Sequence, residues 1–307
     1  MLDQLLVTLD GSDFGDHALP FARAIAEKTG ASVNLSHVSC CDPPTDLLQN
    51  TPFQYEGVSM EAYEEKHSEE RREYLKGKAD GLQKVLPGSK VDSTLLEGYV
   101  TEALERQANA IDAKMLIMTT HGRTGVSRAW LGSVADSLVR HSSFPLFVIR
   151  PLDDGESFPD PRFEHFLVPL DGSPIGEKIL EPTVDLGKAM GARFTLLHVV
   201  APYVTVGARV SPLPAGHLQE RLEKAEEYLE GVTGRLRAQG LEAEPLIESH
   251  FAPARAILNT AEAQGVDLIS IATHGYTGVK RALLGSVTDK VLRAARCPLL
   301  LERPSAD

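Results

Sequence analysis

The sequence has little basic charge, no long apolar run and few cysteines, and each shortage excludes a class of protein. Its 307 residues carry 43 Asp and Glu against 31 Lys and Arg, a formal net charge of −12. This acidic balance argues against non-specific binding to nucleic acids or anionic membranes, both of which need a basic surface. No apolar run approaches the roughly 18 residues of a membrane-spanning helix. We therefore expect neither a nucleic-acid partner nor a membrane partner.

The first residues and the cysteines both indicate the cytoplasm. The opening segment, MLDQLLVTLD, has no basic stretch before its apolar residues, so it does not look like a signal peptide. The spacing of Cys40, Cys41 and Cys297 fits neither a metal site nor a disulfide framework. Reduced thiols of this kind are typical of a cytoplasmic protein, which is the location we expect.

Several motifs that mark catalytic sites are also missing. The chain has no G-x-x-x-x-G-K-S/T motif, no G-x-G-x-x-G after the first predicted strand and no G-x-S-x-G. P-loop, dinucleotide-binding and α/β-hydrolase interpretations are therefore weak. No carboxylate pair, metal-ligand cluster or nucleophile–base set rises above chance. We assign no catalytic residue and no metal ligand, and we do not expect a fast enzyme.

What the sequence does contain is a long internal repeat. Segments near the start of each copy match at a constant offset of 161 residues, as Asp10 and Asp171 show. Segments near the end match at an offset of 153, so the first copy has the longer middle. The matched segments are 6–38 with 167–199, and 121–136 with 274–289.

A repeat of this length indicates two copies of a domain, each large enough to bury its own core. We predict a first domain at 1–151 and a second at 164–304. The segment between them, 152–163, is rich in Asp, Pro and Gly and is the predicted linker.

Each copy alternates apolar strands with helical segments. Residues 4–9 form a continuous apolar run, typical of a buried parallel strand, that ends at Asp10. Ser12 is predicted to cap the following helix, which Gly30 ends. The alternation predicts an α/β fold, with a parallel sheet covered on both faces. The other predicted strands are 32–38, 90–96, 114–119 and 146–150 in the first copy, and 166–170, 193–199, 243–248, 267–272 and 299–303 in the second.

Ligands of open parallel sheets bind beyond the carboxyl ends of the strands, and three matched segments lie there. A strand-end Asp can accept hydrogen bonds from a ribose or a base edge, and a strand-end Val can cover an apolar ring. Glycines in the third segment let backbone N–H groups face a ligand, and the helix that follows adds partial positive charge. Together they predict a phosphate cradle that needs no lysine. The residues are Asp10 and Asp171, Val38 and Val199, and the loops Thr119 to Ser133 and Ala272 to Ser286 with Gly122, Gly132, Gly275 and Gly285.

Each of these features also has a purely structural interpretation. Ser133 with Asp136, and Ser286 with Asp289, fit the S-x-x-D/E capping box. Asp-Gly-Ser after a strand is a common turn. We expect His37 and His198 to be buried in the core. His121 and His274 are expected to order their loop and not to act as general bases. Arg128 and Arg281 are expected either to contact phosphate or to lie on a solvated face.

The strand-end Asp, the His-Val dipeptide and the late T-H-G and L-G-S-V segments occur together in both copies. In this combination the chain resembles the universal stress protein family in its tandem two-domain form, over nearly its whole length outside the linker. The resemblance implies two doubly wound, Rossmann-like domains of the adenine-nucleotide hydrolase type. Each would be a five-stranded parallel sheet with helices on both faces.

The nucleotide-binding branch of that family carries G-x2-G-x9-G-S/T, a loop that cradles the phosphates of ATP. Where the family has its first Gly, this chain has Thr119 in the first copy and Ala272 in the second. The branched Thr119 side chain can crowd a ligand, so the resemblance implies ATP, alone or with Mg²⁺, more securely in the second copy. The implied cofactor-binding residues are Asp10, Val38, Thr119, Gly122, Gly132, Ser133 and Val134, and Asp171, Val199, Ala272, Gly275, Gly285, Ser286 and Val287.

Three functions stay open at this point. The first is an ATP-binding protein of stress adaptation that senses or stores nucleotide. The second is an interaction scaffold whose pockets are vestigial. The third is a slow ATP hydrolase.

The last strands and one long loop lead to two further expectations. Segments 145–151 and 298–304 are apolar and match in register, and pairing them would cover two edge strands. We therefore expect an intramolecular pseudo-dimer of the two halves, with a homodimer of the whole chain left open. The polar loop 39–58 is predicted to be either a lid over the first pocket or a surface insertion.

Overall fold

The computed structural model describes residues 1–39, 60–120, 131–150, 160–206, 209–274 and 284–303. The elements of the first half are β1 (Gln4–Thr8), α1 (Asp13–Asp16), α2 (Ala18–Thr29), β2 (Ser32–Ser39), α3 (Met60–Val85), β3 (Val91–Glu97), α4 (Val100–Ala110), β4 (Met115–Thr119), α5 (Ser133–His141) and β5 (Leu146–Ile149).

The second half repeats this order and adds a hairpin after its second strand. Its elements are β6 (His165–Pro169), a short 3-10 helix (Gly176–Ile179), α6 (Leu180–Met190), β7 (Arg193–Val200), β8 (Tyr203–Val206), β9 (Arg209–Pro212), α7 (Ala215–Arg237), β10 (Ala243–Ser249), α8 (Pro253–Ala263), β11 (Leu268–Ala272), α9 (Ser286–Ala294) and β12 (Leu299–Glu302).

Both halves share one ten-stranded sheet, in the order β10-β7-β6-β11-β12-β5-β4-β1-β2-β3. Within each half the five strands are parallel, and the strand order reverses beside the first strand, as in doubly wound folds. Apolar residues are buried on both faces of the sheet, against α2, α3, α6 and α7 on one side and α4, α5, α8 and α9 on the other. The predicted fold class is confirmed.

The last strands of the two halves, β5 and β12, run antiparallel to each other. Leu299 faces Val148, and Leu301 faces Leu146. Two arginines then cross in opposite directions. Arg150 Nη1 donates to the carbonyl oxygen of Arg293 at 2.8 Å, and Arg303 Nη1 donates to that of His141 at 2.9 Å. A guanidinium from each half therefore stabilises the C-terminal end of the other half's last helix, where the helix dipole is negative.

A row of phenylalanine rings continues the core across this junction. Successive ring centroids are 5.7 Å apart for Phe21 and Phe147, 5.9 Å for Phe147 and Phe163, and 6.4 Å for Phe163 and Phe166. Phe194 extends the row into the second half, 5.6 Å from Phe166. Phe163, from the end of the predicted linker, is 7% exposed and lies between the two halves.

Some local predictions need correction. The helix predicted after Ser12 is split at His17 into α1 and α2. Ser12 does cap α1, because its hydroxyl oxygen accepts the Gly15 N–H at 3.1 Å. The hairpin of β8 and β9 was not predicted, since its strands are short and neighbour prolines. The proposed lid, 39–58, lies outside the described residues except for Ser39. No helix in the described ranges has both the length and the apolar character of a membrane span.

Candidate functional site

The strand-end Asp holds a turn in each half through its own side chain. In the second half, Asp171 Oδ1 accepts the backbone N–H of Ser173 at 3.0 Å and its hydroxyl at 2.6 Å. The same two bonds join Asp10 and Ser12, at 3.0 and 2.6 Å. The structural interpretation of Asp-Gly-Ser is therefore correct, since one carboxylate oxygen is committed to the turn. Asp171 is nevertheless exposed, so its carboxylate stays accessible to a ligand.

Two glycines that the sequence analysis did not single out make this turn possible. A Cβ on Gly176 would lie 2.6 Å from Asp171 Oδ1, and one on Gly15 would lie 2.4 Å from Asp10 Oδ1. Contacts this short are not tolerated by packed atoms, so only glycine fits. The signal was present in the sequence, because the two glycines match at the same 161-residue offset as the aspartates.

A second anchor holds each turn to a long helix. Lys78 of α3 donates to Asp16 at 2.5 Å, and so does the Tyr74 hydroxyl, also at 2.5 Å. In the second half, the residue that matches Asp16 is Glu177, which accepts a hydrogen bond from Arg235 of α7. In both halves, the carboxylate six residues after the strand-end Asp is thus fixed by a cation from a long helix, α3 or α7.

The last helix of each half begins at a glycine that touches the preceding strand. Gly285 donates its N–H to the carbonyl oxygen of Thr273 at 2.8 Å, and Gly132 donates to that of Thr120 at 2.9 Å. A Cβ on either glycine would lie 3.0 Å from that same oxygen. Their φ angles, −58° and −59°, are accessible to any residue. Glycine is therefore needed here because two backbone segments approach each other closely. The backbone torsion angles do not require it.

The capping-box interpretation of these helices is wrong. The N-cap residues are Gly132 and Gly285, so Ser133 and Ser286 are the first helical residues and do not occupy the N-cap position. The acidic residues are engaged elsewhere: Asp136 Oδ2 accepts from Arg140 at 2.8 Å, and Asp289 Oδ1 accepts from Arg293 at 3.0 Å. Because glycine has no side chain to offer, the first amides of α5 and α9 are capped by no N-cap side chain.

A cavity of about 280 Å³ opens at these strand ends in the second half. It joins the turn after β6, the ends of β7 and β11, and the first residues of α8 and α9. Six predicted residues line it: Asp171, Val199, Ala272, Gly285, Ser286 and Val287. The lining residues that sequence reasoning missed are Pro169, Leu170, Gly176, Leu197, Pro253, Ile257, Ile271 and Thr288, together with His274, which had been assigned only a loop-ordering role.

The missed residues are mostly apolar, and they give the cavity its walls. Ile271 and Leu197 belong to the buried core beneath the cavity, and Ile257 reaches it from α8. Thr288 fixes the start of α9, since its hydroxyl donates to the Ala272 carbonyl at 2.9 Å. The fold supplies these walls by bringing the ends of separate strands together, which no short motif records.

A match to the model of the universal stress protein family covers residues 1–150 and again 162–303. The chain belongs to this family. The double match corresponds to its tandem form, as the repeat predicted.

Relatives of this universal stress protein are found at the level of both sequence and structure. A universal stress protein of Mycobacterium tuberculosis is 31% identical over 195 residues, which span 63% of this chain and 63% of that protein. One from Mycolicibacterium smegmatis is 28% identical over 305 residues, 98% of this chain and 97% of its own length. The crystal structure of an Archaeoglobus fulgidus universal stress protein superposes with a TM-score of 0.74 at 18% identity, covering 99% of this chain and 100% of that one. This last likeness concerns the fold.

In the first half of this universal stress protein, the predicted site residues occupy the matching positions. Asp10 begins the turn after β1, Val38 lies near the end of β2, and Thr119 ends β4. Gly132, Ser133 and Val134 start α5. Gly122 and Gly275, with His121, Arg128 and Arg281, lie outside the described residues.

The histidines differ in burial. His37 is 4% exposed, as expected for a core residue, whereas His198 is only half-buried. Burial lowers the pKa of His198, which favours the neutral form of the ring. His274 Nδ1 lies 2.9 Å from the Thr273 hydroxyl, a local contact that fits a loop-ordering role, and its ring also lines the cavity.

Proposed function

We propose that this universal stress protein binds ATP in the cavity of its second half. The observation that carries the proposal is the start of α9: the cavity opens onto the first turn of a helix whose cap residue, Gly285, has no side chain. Backbone amides at such a position have no acceptor within the helix, and the helix dipole favours an anion. The phosphates would lie there.

The remaining walls suit the other parts of a nucleotide. Val199, Ile257 and Ile271 offer apolar surface to a base, and the exposed Asp171 carboxylate is suited to accept hydrogen bonds from ribose hydroxyls. Mg²⁺ usually binds through substrate phosphates, so it would accompany the nucleotide.

The first half would bind the same ligand less tightly. Asp10, Val38, Gly132 and Ser133 offer the same groups, but Thr119 adds a branched side chain where Ala272 adds a methyl. The physiological role that fits such a protein is stress adaptation in the cytoplasm, through the state of its bound nucleotide.

The test is whether the protein carries nucleotide. We expect the supernatant of heat-denatured, freshly purified protein to absorb as an adenine compound and to contain ATP or ADP by mass spectrometry. Protein that carries none and does not bind added ATP by calorimetry would contradict the proposal and favour a scaffold. Steady phosphate release from bound ATP would instead make it a slow hydrolase.

We also propose that residues 1–151 and 164–304 are two domains that form an intramolecular pseudo-dimer, alone or within a larger homodimer. The antiparallel β5–β12 pairing and the two crossed arginines, Arg150 and Arg303, support it. A fragment of residues 1–152 would expose the β5 edge and should self-associate. A fragment that stays monomeric by light scattering at high concentration would contradict this arrangement.

A further inference from the structure

An aromatic pair stands beside the cavity of the second half, and the site described above does not use it. The rings of Tyr203 and Phe251 are stacked, with centroids 5.9 Å apart and planes only 2° from parallel. Phe251 is 67% exposed. Burying an apolar ring is favourable, so an open ring on a segment that leads into the cavity suggests a surface that a ligand covers.

The backbone ties this pair to the cavity wall. Phe251 lies two residues before Pro253, which lines the cavity at the start of α8, and Tyr203 lies four residues after Val199, which lines it at the end of β7. The two segments are joined by a hydrogen bond from His250 N–H to the Val200 carbonyl at 3.1 Å. The aromatic pair is therefore part of the same edge of the sheet as the cavity.

The side chain of His250 holds the corner that carries Phe251. Its Nδ1 accepts the N–H of Ala252 at 2.9 Å, which turns the chain from β10 into α8. Tyr203 is held in turn by the hairpin, where it pairs with Pro212. Phe251 thus projects from a turn fixed by hydrogen bonds, with a second ring behind it.

The first half has its own aromatic residue at this corner. In the sheet, Val33 pairs with Val91 and Phe194 pairs with Ala243, so β3 and β10 match at an offset of 152 residues. At that offset Tyr99 matches Phe251, and Tyr99 is also exposed. An exposed aromatic residue at this corner is therefore common to both halves.

We propose that Phe251, backed by Tyr203, stacks on the aromatic base of the ligand and makes the second site selective for nucleotides over base-free polyphosphates. The inference rests on the proposed function of the cavity. A flat, uncharged, stacked surface favours an aromatic ring, because every base has a π-face that can stack, and such stacking depends little on hydrogen bonding.

The test compares ATP with inorganic tripolyphosphate by calorimetry on the full chain. The second-half site is identified as the class of sites whose affinity Ser286→Pro lowers, because proline is accepted at the first helical position but lacks the N–H. Phe251→Leu keeps apolar bulk without a ring and should weaken ATP binding about tenfold, while tripolyphosphate binding stays unchanged. Phe251→Tyr restores a ring and should keep the affinity for ATP. Tyr203→Leu should have a smaller effect than Phe251→Leu.

Each outcome decides between the two proposals. Equal ATP affinity in the unmodified protein and in Phe251→Leu would overturn the stacking proposal and leave the site standing. Parallel losses for ATP and tripolyphosphate would also overturn it, since the residue would then only shape the site. Failure of the unmodified protein to bind either ligand would overturn the proposed function together with this inference.

Discussion

The two halves hold the strand-end turn with the same bonds at the same distances, yet they fill the core between sheet and helix differently. In the second half, Gly187 of α6 lies against the ring of Phe194. At the matching positions of the first half stand Ala26 and Val33. In the second half, the smaller helix residue, Gly187, is combined with the larger strand residue, Phe194. In the first half, the helix residue is larger (Ala26) and the strand residue is smaller (Val33). Backbone contacts have been kept in both copies, while side-chain volume has been redistributed between neighbours.

Three further pairs differ near the candidate sites. Thr119 stands where the second half has Ala272, and Tyr99 stands where it has Phe251. The fully buried Ile149 at the end of β5 matches Glu302 at the end of β12. The start of the last helix is thus the same in both halves, whereas the residues around it have diverged. Four predictions can break or sharpen this comparison.

The largest effect is expected at the start of the last helix. Gly285→Val should abolish ATP binding in the second half, because the side chain would occupy the phosphate space and press on the Thr273 carbonyl. Gly132→Val should lower total binding less if Thr119 already crowds the first site. Calorimetric stoichiometry measures both effects.

A fold control is needed because both valines are strained. Ser286→Pro removes one amide donor with little strain and should also weaken second-half binding, while the thermal midpoint stays near that of the unmodified chain. Unchanged affinity and stoichiometry in Gly285→Val would refute this assignment of the loop. Equal losses of ATP binding in the two glycine variants would refute only the proposed difference in affinity between the two halves.

A large loss of stability is expected from Gly187→Ala. The new Cβ would lie 2.1 Å from Phe194 Cζ, a ring packed in the core, so we expect a loss of about 1–3 kcal/mol in the free energy of unfolding. Adding Phe194→Val should recover part of the loss, because it recreates the Ala26–Val33 pair of the first half. Urea unfolding measures both. No rescue by the second substitution would mean that the two residues do not compensate each other.

A pH effect is expected at Glu302. Burial, reinforced by the charge of Glu181 and opposed by Lys178, raises the pKa of this carboxyl from 4.5 to about 7 in the folded state. Its contribution to stability is therefore complete below pH 4.5 and is lost as the pH rises to 7, because the unfolded chain ionises first. Glu302→Ile, which copies Ile149, should gain about 1–2 kcal/mol relative to the unmodified protein between pH 5 and pH 7.5.

Glu302→Gln is the matched control, because it removes the titrating carboxyl group and keeps the size and shape of the side chain. Urea midpoints at the two pH values should shift in the same direction for both variants. If the difference between unmodified protein and variant is the same at pH 5 and pH 7.5, the carboxyl does not titrate in this range.

The smallest effect is expected from exchanging the residues that differ at the first motif position. Thr119→Ala should tighten ATP binding in the first half a few-fold, and Ala272→Thr should weaken it in the second half by a similar factor, since only a hydroxyl and a methyl change. Calorimetry resolves the two classes of site. A change in neither variant would show that this position does not distinguish the halves.

Much of the site could be predicted because it consists of backbone features that recur in the repeat. Asp171, Val199, Ala272, Gly285, Ser286 and Val287 were predicted and line one cavity. The capping box could not be judged from its motif, because the motif does not reveal which residue has the N-cap conformation. Ile257 and Ile271 were missed because each belongs to an ordinary apolar pattern, and only their neighbours make them cavity walls.

The number of copies, the alternation of strands and helices and the residues at the strand ends could all be predicted, because periodicity and register are properties of local sequence. Which glycines cannot be replaced became clear from the folded molecule. Gly15, Gly176 and Gly187 are required by atoms of other residues that lie within van der Waals distance. The exposure of Phe251 and the burial of Glu302 were decided in the same way. Both depend on chain segments that are distant in sequence and meet only in the folded molecule.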